Sequence, residues 1–325
     1  MSQSLQAPQL ERLQAAAAPS LSLKGTLAAV LETSKPRITR LVTITSAVGF
    51  VLAAITRTWS TGELLIAAIG ALVGTALSAA GANTLNQWWE RDRDARMPRT
   101  ASRPIPEGRL TPGLALASGI AMALIGLGTL GLFCGLAPMA VSAATILSYV
   151  LIYTPLKPVT PLATLVGAVP GALPPLIGWS AALPEAGFAS LLSATAWLLF
   201  FIMFIWQIPH FLAIAWMYKD DYAAGGYKVL PVVDSSGRRT ARAILVWSVA
   251  LVLISLAPAV VMSPATGAVY ATVAGLMGTG FLLLTLRVVR TRERSDARRA
   301  FIASVIHLPL LLLVLVTFSV VSTIF

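Results

Sequence analysis

The stretch from Asn86 to Thr100 gathers carboxylates and arginines into a few positions of a chain in which only 11% of residues are charged. It follows directly on an apolar run, Leu64 to Ala82. If the stretch is helical, Asn86, Glu90 and Asp94 recur every four residues and line one face, each about 6 Å beyond the last. Three oxygen donors in a row suit a hard divalent cation such as Mg2+. The arginines around them suit phosphate, because a guanidinium grips its oxygens in pairs. Metal-assisted chemistry on a diphosphate is the expectation that follows. A second acidic cluster, Asp220 and Asp221, opens another long polar loop. Two such clusters meeting across a bundle would hold divalent ions around one diphosphate, so Asn86, Glu90, Asp94, Asp220 and Asp221 are the candidate metal-binding and catalytic residues. Arg99, Arg103, Lys157 and Lys219 flank these clusters or sit in a proline-stiffened loop, and are the candidate diphosphate contacts. Two histidines, His210 and His307, fall inside apolar runs. An ionisable residue at membrane depth is a candidate substrate contact.

These residues need a scaffold, and composition names it. Hydrophobic residues make up 57% of the 325-residue chain, which places it among all-α polytopic membrane proteins. The net charge of +11 reads as basic cytoplasmic loops, and nucleic acid is not expected as a partner. A single cysteine, Cys134, leaves no internal disulfide and no multi-thiolate metal site. Nine apolar runs read as spans: 38–57, 64–87, 111–133, 136–153, 163–182, 190–217, 242–262, 266–286 and 302–324. With nine crossings, the basic residues of the N-terminal tail and of the loops after spans 2, 4, 6 and 8 lie on one side. Only Arg57 lies on the other. The N-terminus is then cytoplasmic and the C-terminus outside, with one bundle around a central cavity. Residues 1–34 read as a cytoplasmic tail, in which Leu27 to Leu31 form a short amphipathic turn on the membrane surface. Residues 35–325 read as the membrane domain. The tail lacks the pattern of a secretory signal, and a transit peptide is likewise absent, which favours a bacterial plasma membrane. Gly167, Gly171 and Gly178 are expected to let the fifth span approach its neighbours, while Pro170, Pro174 and Pro175 kink it.

At this point the chain resembles the UbiA-type intramembrane prenyltransferases, and within them the branch that farnesylates heme. The likeness covers nearly everything from Lys35-Pro36-Arg37 onward. Its most specific part runs from Asn86-x3-Glu90-x3-Asp94 through Met97-x-Arg99-Thr100-x2-Arg103-Pro104-x-Pro106-x-Gly108. Tyr153-Thr154-x2-Lys157, Gly171-Ala-Leu-Pro-Pro-Leu-Ile-Gly-Trp179, Trp206-Gln-x-Pro-His-Phe211, Asp221-Tyr222, Leu230-Pro231 and His307-Leu-Pro309 add to it. Pro158, Ala163 and Lys228 depart from the residues common in that branch.

The resemblance implies that farnesyl diphosphate, heme b and water give heme O and diphosphate, for terminal oxidase biogenesis. Mg2+ would be held by the two acidic clusters, and the active site would face the cytoplasm. Heme b is then a substrate, with His210 or His307 as a contact to its iron. The farnesyl tail would run toward membrane lipid. Heme A synthase or terminal oxidase assembly factors are the protein partners it suggests. A quinone-type aromatic prenyltransferase on the same scaffold is the runner-up, although an aromatic acid acceptor needs no iron ligand. A transporter is the alternative from a different class. Acidic clusters at helix ends on one side, rather than paired midplane sites, favour an enzyme.

Overall fold

The computed structural model describes residues 22–324, and the described chain is helical with no strand. The first 21 residues of the expected tail lie outside the described residues. Its remainder is a helix, α1 (Leu23–Thr33), whose N-terminus is capped by the Ser22 hydroxyl. Leu23, Leu27 and Leu31 project outward from α1, while Ala29 packs toward Ile105, Leu110 and Ala115. The short surface turn expected at Leu27–Leu31 is thus a full three-turn element.

The bundle follows as α2 (Pro36–Ala54), α3 (Thr61–Asp94), α4 (Pro112–Phe133), α5 (Leu136–Leu147), α6 (Ala163–Ala172), α7 (Pro174–Ala181), α8 (Ala194–Met217), α9 (Arg238–Leu256), α10 (Pro264–Thr291) and α11 (Arg294–Ile324). Several start where the sequence instructs. Ser60 and Glu63 close a reciprocal capping box at the head of α3. Pro36, Pro112 and Pro264 occupy first-turn positions, where a missing N–H costs nothing. Neighbours in sequence pack in turn, and α11 closes the bundle against α2 and α8.

Among the described residues, eight helices are long and apolar enough to cross a membrane. The expected fifth span is not among them. Residues 163–182 form two short helices, α6 and α7, broken at Leu173. Pro174 and Pro175 supply no N–H to the ladder, so helical hydrogen bonding is interrupted there, although the Leu173 backbone itself stays helical at φ −75°, ψ −26°. The pair still runs between the two ends of the bundle: Lys157 precedes it beside Glu90, and Glu185 follows it in an ion pair with Arg57, just beyond the far end of α2. The 190–217 run is one helix, α8, preceded by a 3-10 segment. The fourth span ends in a π-helical turn, Ser148–Tyr153, just before Pro155.

Two contacts hold the middle of the bundle. Every residue of α7 is buried. A Cβ on Gly178 would fall 1.8 Å from the Ser46 carbonyl oxygen of α2, and one on Gly49 would fall 1.9 Å from that of Pro175. Backbone meets backbone here, and only glycine allows it. α3 and α4 interlock in the same manner through Gly74, Ser78, Gly81, Gly119, Ala123 and Gly126.

The length of α3 matters most for function. Its 34 residues span about 51 Å, well beyond an apolar layer of about 30 Å. Its last turns therefore carry Glu90 and Asp94 out of the apolar layer while they remain inside protein.

Gly178→Val should lower the thermal midpoint in detergent by the equivalent of at least about 1–3 kcal/mol, the usual range for overpacking. Gly128→Ala, on an open face of α4, should be neutral or stabilising by up to about 1 kcal/mol. Equal midpoints for the two variants would remove the α2–α7 contact from its central place.

Candidate active site

Asn86, Glu90 and Asp94 fall on one face of α3, as their spacing requires, and all three are buried. Each meets a cation brought from a different part of the chain. Lys35 donates from Nζ to Asn86 Oδ1 at 2.8 Å. Lys157 donates to both Glu90 oxygens, at 2.8 and 3.1 Å. Arg103 reaches Asp94 Oδ2 at 2.5 Å. Asn86 also donates from Nδ2 to Thr154 Oγ1 at 3.0 Å, tying α3 to the turn before Lys157.

Lys35 carries little signal in sequence beyond standing before a proline-started span. Its position depends on local geometry. Its backbone is left-handed, with φ 49°, a conformation that costs a non-glycine residue about 1–2 kcal/mol. Two side chains of α3 hold the preceding carbonyls: Gln87 donates to Thr33 O at 2.7 Å and Asn83 donates to Ser34 O at 3.3 Å. The Thr33 and Thr84 hydroxyls pair at 3.2 Å. This clamp turns Lys35 into the site. Burial pushes its ammonium down to about 7, with repulsion from Arg103 and Lys157 partly countered by Glu90 and Asp94. At Lys157 burial works in the same direction, but the Glu90 carboxylate prevails and the ammonium is held well above its ordinary value.

Aromatic rings surround Lys157. Tyr153 and Tyr227 present their faces to its Nζ at 4.9 and 5.3 Å from the ring centres, and Tyr149 stacks on Tyr153 at 5.5 Å. Tyr153 belongs to the Tyr153-Thr154-x2-Lys157 element of the resemblance, but the sequence alone does not place it or Tyr149 against the Lys157 ammonium. Tyr227, in the second loop, had no signal at all.

The two polar loops meet. Arg93 donates to Gly225 O at 3.0 Å, and Lys228 N donates to Lys157 O at 3.0 Å. Arg99 stands 3.9 Å from Asp221 Oδ2, its guanidinium over the rings of Tyr218 and Tyr222. The carboxylates of the two loops do not share one centre, however. Among the described residues no three His, Cys, Asp or Glu side chains are gathered as a metal site. Asp220 is largely exposed and faces Arg294 at 3.6 Å. Lys219 lines a separate depression of about 210 Å3 with Trp216, Asp234 and Arg292. A larger cavity of about 250 Å3, bounded by Thr56, Trp179, Thr195 and Ser319, lies at the opposite end of the bundle and is no part of this site.

The two histidines sit deeper in the bundle. His210 is half-buried on α8, its Nδ1 2.8 Å from Ser304 Oγ of α11. His307 is buried against the Phe281 ring.

In kind, the donors on α3 fit a hard divalent cation: one amide oxygen and two carboxylates on a single buried face. Two carboxylates stand against three cations, Lys35, Lys157 and Arg103. The local surplus is positive, as a polyanion requires.

The UbiA prenyltransferase family matches residues 34–320. The chain belongs to the UbiA prenyltransferase family. As expected of that family, it is a multi-pass helical membrane protein, and the residues of its first acidic motif occupy one buried face. One relative, the protoheme IX farnesyltransferase of Solibacter usitatus (strain Ellin6076), is 42% identical over 285 residues, covering 86% of this chain and 95% of the relative. Two solved structures share the fold. A digeranylgeranylglyceryl phosphate synthase in membranes gives a TM-score of 0.71 at 14% identity, covering 91% of this chain and 99% of that one. A UbiA homolog from Archaeoglobus fulgidus bound to GPP and Mg2+ gives 0.62 at 15%, covering 88% and 99%.

The ion pairs predict unequal costs. Lys157→Ala leaves Glu90 charged and buried without its partner, and should destabilise by about 3–5 kcal/mol. Asp220→Ala removes an exposed pair and should change stability by less than about 1 kcal/mol. The double change Glu90→Gln, Lys157→Met should cost much less than the sum of its parts. Thermal unfolding in one detergent checks all of these, and additivity would show that the two residues do not act as a pair.

Proposed function

We propose that this chain transfers the farnesyl group of farnesyl diphosphate to a vinyl group of heme b, with addition of water, giving heme O and diphosphate. One observation carries the proposal: three cations from three segments converge on a buried face of oxygen donors at one end of a membrane bundle. A site built this way suits a diphosphate with divalent metal. The identity to a protoheme IX farnesyltransferase supports heme b as acceptor, and the A. fulgidus homolog bound to GPP and Mg2+ supports the prenyl diphosphate and the ion.

In this reading Asn86, Glu90 and Asp94 hold Mg2+, with Asp221 the nearest donor of the second cluster. Bound Mg2+ supplies neutralisation of the charge that grows on the departing diphosphate. Lys35, Arg103 and Lys157 then exchange carboxylate oxygens for phosphate oxygens, and Arg99 joins them from the second loop. Their charges stand in place before the C–O bond breaks, so little reorganisation is needed as the leaving group forms. The stacked Tyr149 and Tyr153 rings beside Lys157 offer an electron-rich face to the allylic cation. The apolar bundle limits bulk water around that cation. Asp220 and Lys219 stand at the rim, where they contribute field rather than contact. The site faces the cytoplasm of a bacterial plasma membrane, the side to which the basic loops are assigned.

Purified protein in lipid nanodiscs, given heme b, labelled farnesyl diphosphate and Mg2+, should yield a labelled, more hydrophobic heme on reversed-phase chromatography. Chelation should stop the reaction and added Mg2+ restore it. Asp94→Ala should cut turnover by about a hundredfold or more while heme binding persists. Prenylation of 4-hydroxybenzoate in place of heme would favour the quinone-type alternative. Normal turnover in the Asp94 variant would remove that residue from the metal role.

A further inference from the structure

His210 and Ser304 form a bonded pair whose donors can be assigned. The Ser304 hydroxyl donates to Phe301 O at 2.6 Å. A serine hydroxyl has one proton, so the 2.8 Å contact between Ser304 Oγ and His210 Nδ1 must use a proton from the imidazole. The ring therefore carries its hydrogen on Nδ1, and Nε2 keeps a free lone pair. Ser304 also acts through its carbonyl, which accepts from Trp206 Nε1 at 2.9 Å. Trp206 in turn stacks on His210, with centres 4.7 Å apart and planes at 22°. Phe301 and Phe211 complete the surround at 5.2 and 5.6 Å. One fully buried serine thus fixes both the tautomer of the imidazole and the aromatic plate beneath it.

His307 differs. It is 4% exposed, stacked on Phe281, and its Nε2 has no partner. No hydrogen bond sets its tautomer, and its Nε2 is buried. His210 is partly open, and lies two turns before the end of α8, about 10 Å below the end where the acidic site stands.

We propose that Ser304 is a positioning residue: it holds His210 with Nε2 presented as an electron-pair donor to the iron of a planar porphyrin, and His210, not His307, is the iron contact. Neutral imidazoles that bind metals commonly donate their other N–H to an acceptor, which fixes the ring and raises its basicity. The stacked Trp206 holds the imidazole plane in place, and the depth sets the ring below the acidic end of the bundle. The proposal rests on heme as the acceptor.

The test is a titration of full-length protein in nanodiscs with ferric heme b, read by absorption and electron paramagnetic resonance. Wild type should show an imidazole-bound heme. His210→Ala should lose that signature and regain it on addition of free imidazole, while His307→Ala keeps it. Ser304→Ala should bind heme about 10–100-fold more weakly, and Ser304→Thr, which retains a hydroxyl, should behave as wild type. An Ser304→Ala spectrum and affinity equal to wild type would overturn the positioning role. Loss of the signature in His307→Ala but not in His210→Ala would overturn the choice of histidine. Both failures leave the acceptor reading intact, since farnesylated heme would still form. A wild type that neither binds nor farnesylates heme would overturn that reading and this proposal together.

Discussion

A carboxylate inside an apolar bundle is tolerated only if opposite charge comes with it. Glu90 and Asp94 are buried at the end of α3, and the rest of this end of the molecule is arranged to meet that demand. Lys157 arrives from the turn after α5, Arg103 from the loop after α3, and Lys35, held on Asn86, from the junction of α1 and α2. None of these is near its partner in sequence except Arg103. The ion pairs, with the hydrogen bonds of Asn83, Asn86 and Gln87, therefore fix tertiary structure as well as charge, joining the π turn after α5, the left-handed Lys35 and the loop around Thr100. Thr100 shows how closely the loop follows, since its hydroxyl donates to the Asp94 carbonyl at 2.9 Å.

The rest of the bundle keeps these groups in register. Glycine contacts between α2 and α7, and between α3 and α4, bring backbones close enough to leave little freedom of slide. The break at Leu173 serves the same end. The two short helices pack against α2, α5 and α8. Gln207 lies against this broken segment, where a Cβ on Gly171 would fall 1.9 Å from its Oε1, and its amide donates to Met203 O. The Gln207 amide also donates to Ala168 O at 3.4 Å, so its N–H groups are satisfied by backbone at this depth.

Much of this was legible in sequence because it depends on periodicity. A four-residue spacing after an apolar run places Asn86, Glu90 and Asp94 on one face, whatever the tertiary fold. Prolines at 174 and 175 mark where helical hydrogen bonding is interrupted, which the structure places at Leu173. Pairing is another matter. That Lys157 belongs to Glu90, and that Lys35 belongs to the site at all, follows from which helices are neighbours and from a backbone conformation no propensity suggests. Asp220 and Asp221 look equivalent in sequence, yet adjacent residues on a short helix point about 100° apart. One faces Arg99, the other faces Arg294 and solvent. Lys219 likewise lines a separate depression with Trp216 and Asp234.

The same charge arrangement bears on how such a site is loaded. A buried face with two carboxylates and no cations would be unstable before substrate arrived. One already matched by lysines and an arginine is stable alone, and positive overall. On the proposed reading, a divalent cation held by the carboxylates would leave the ammonium and guanidinium groups to take diphosphate oxygens as partners. Each cation exchanges one partner for another instead of being newly desolvated, so the cost of burying charge is met when the chain folds, not when ligand binds. Flexible lysine stems suit that exchange better than a rigid scaffold would. Arg103 is tethered differently, by the turn that Thr100 closes on Asp94.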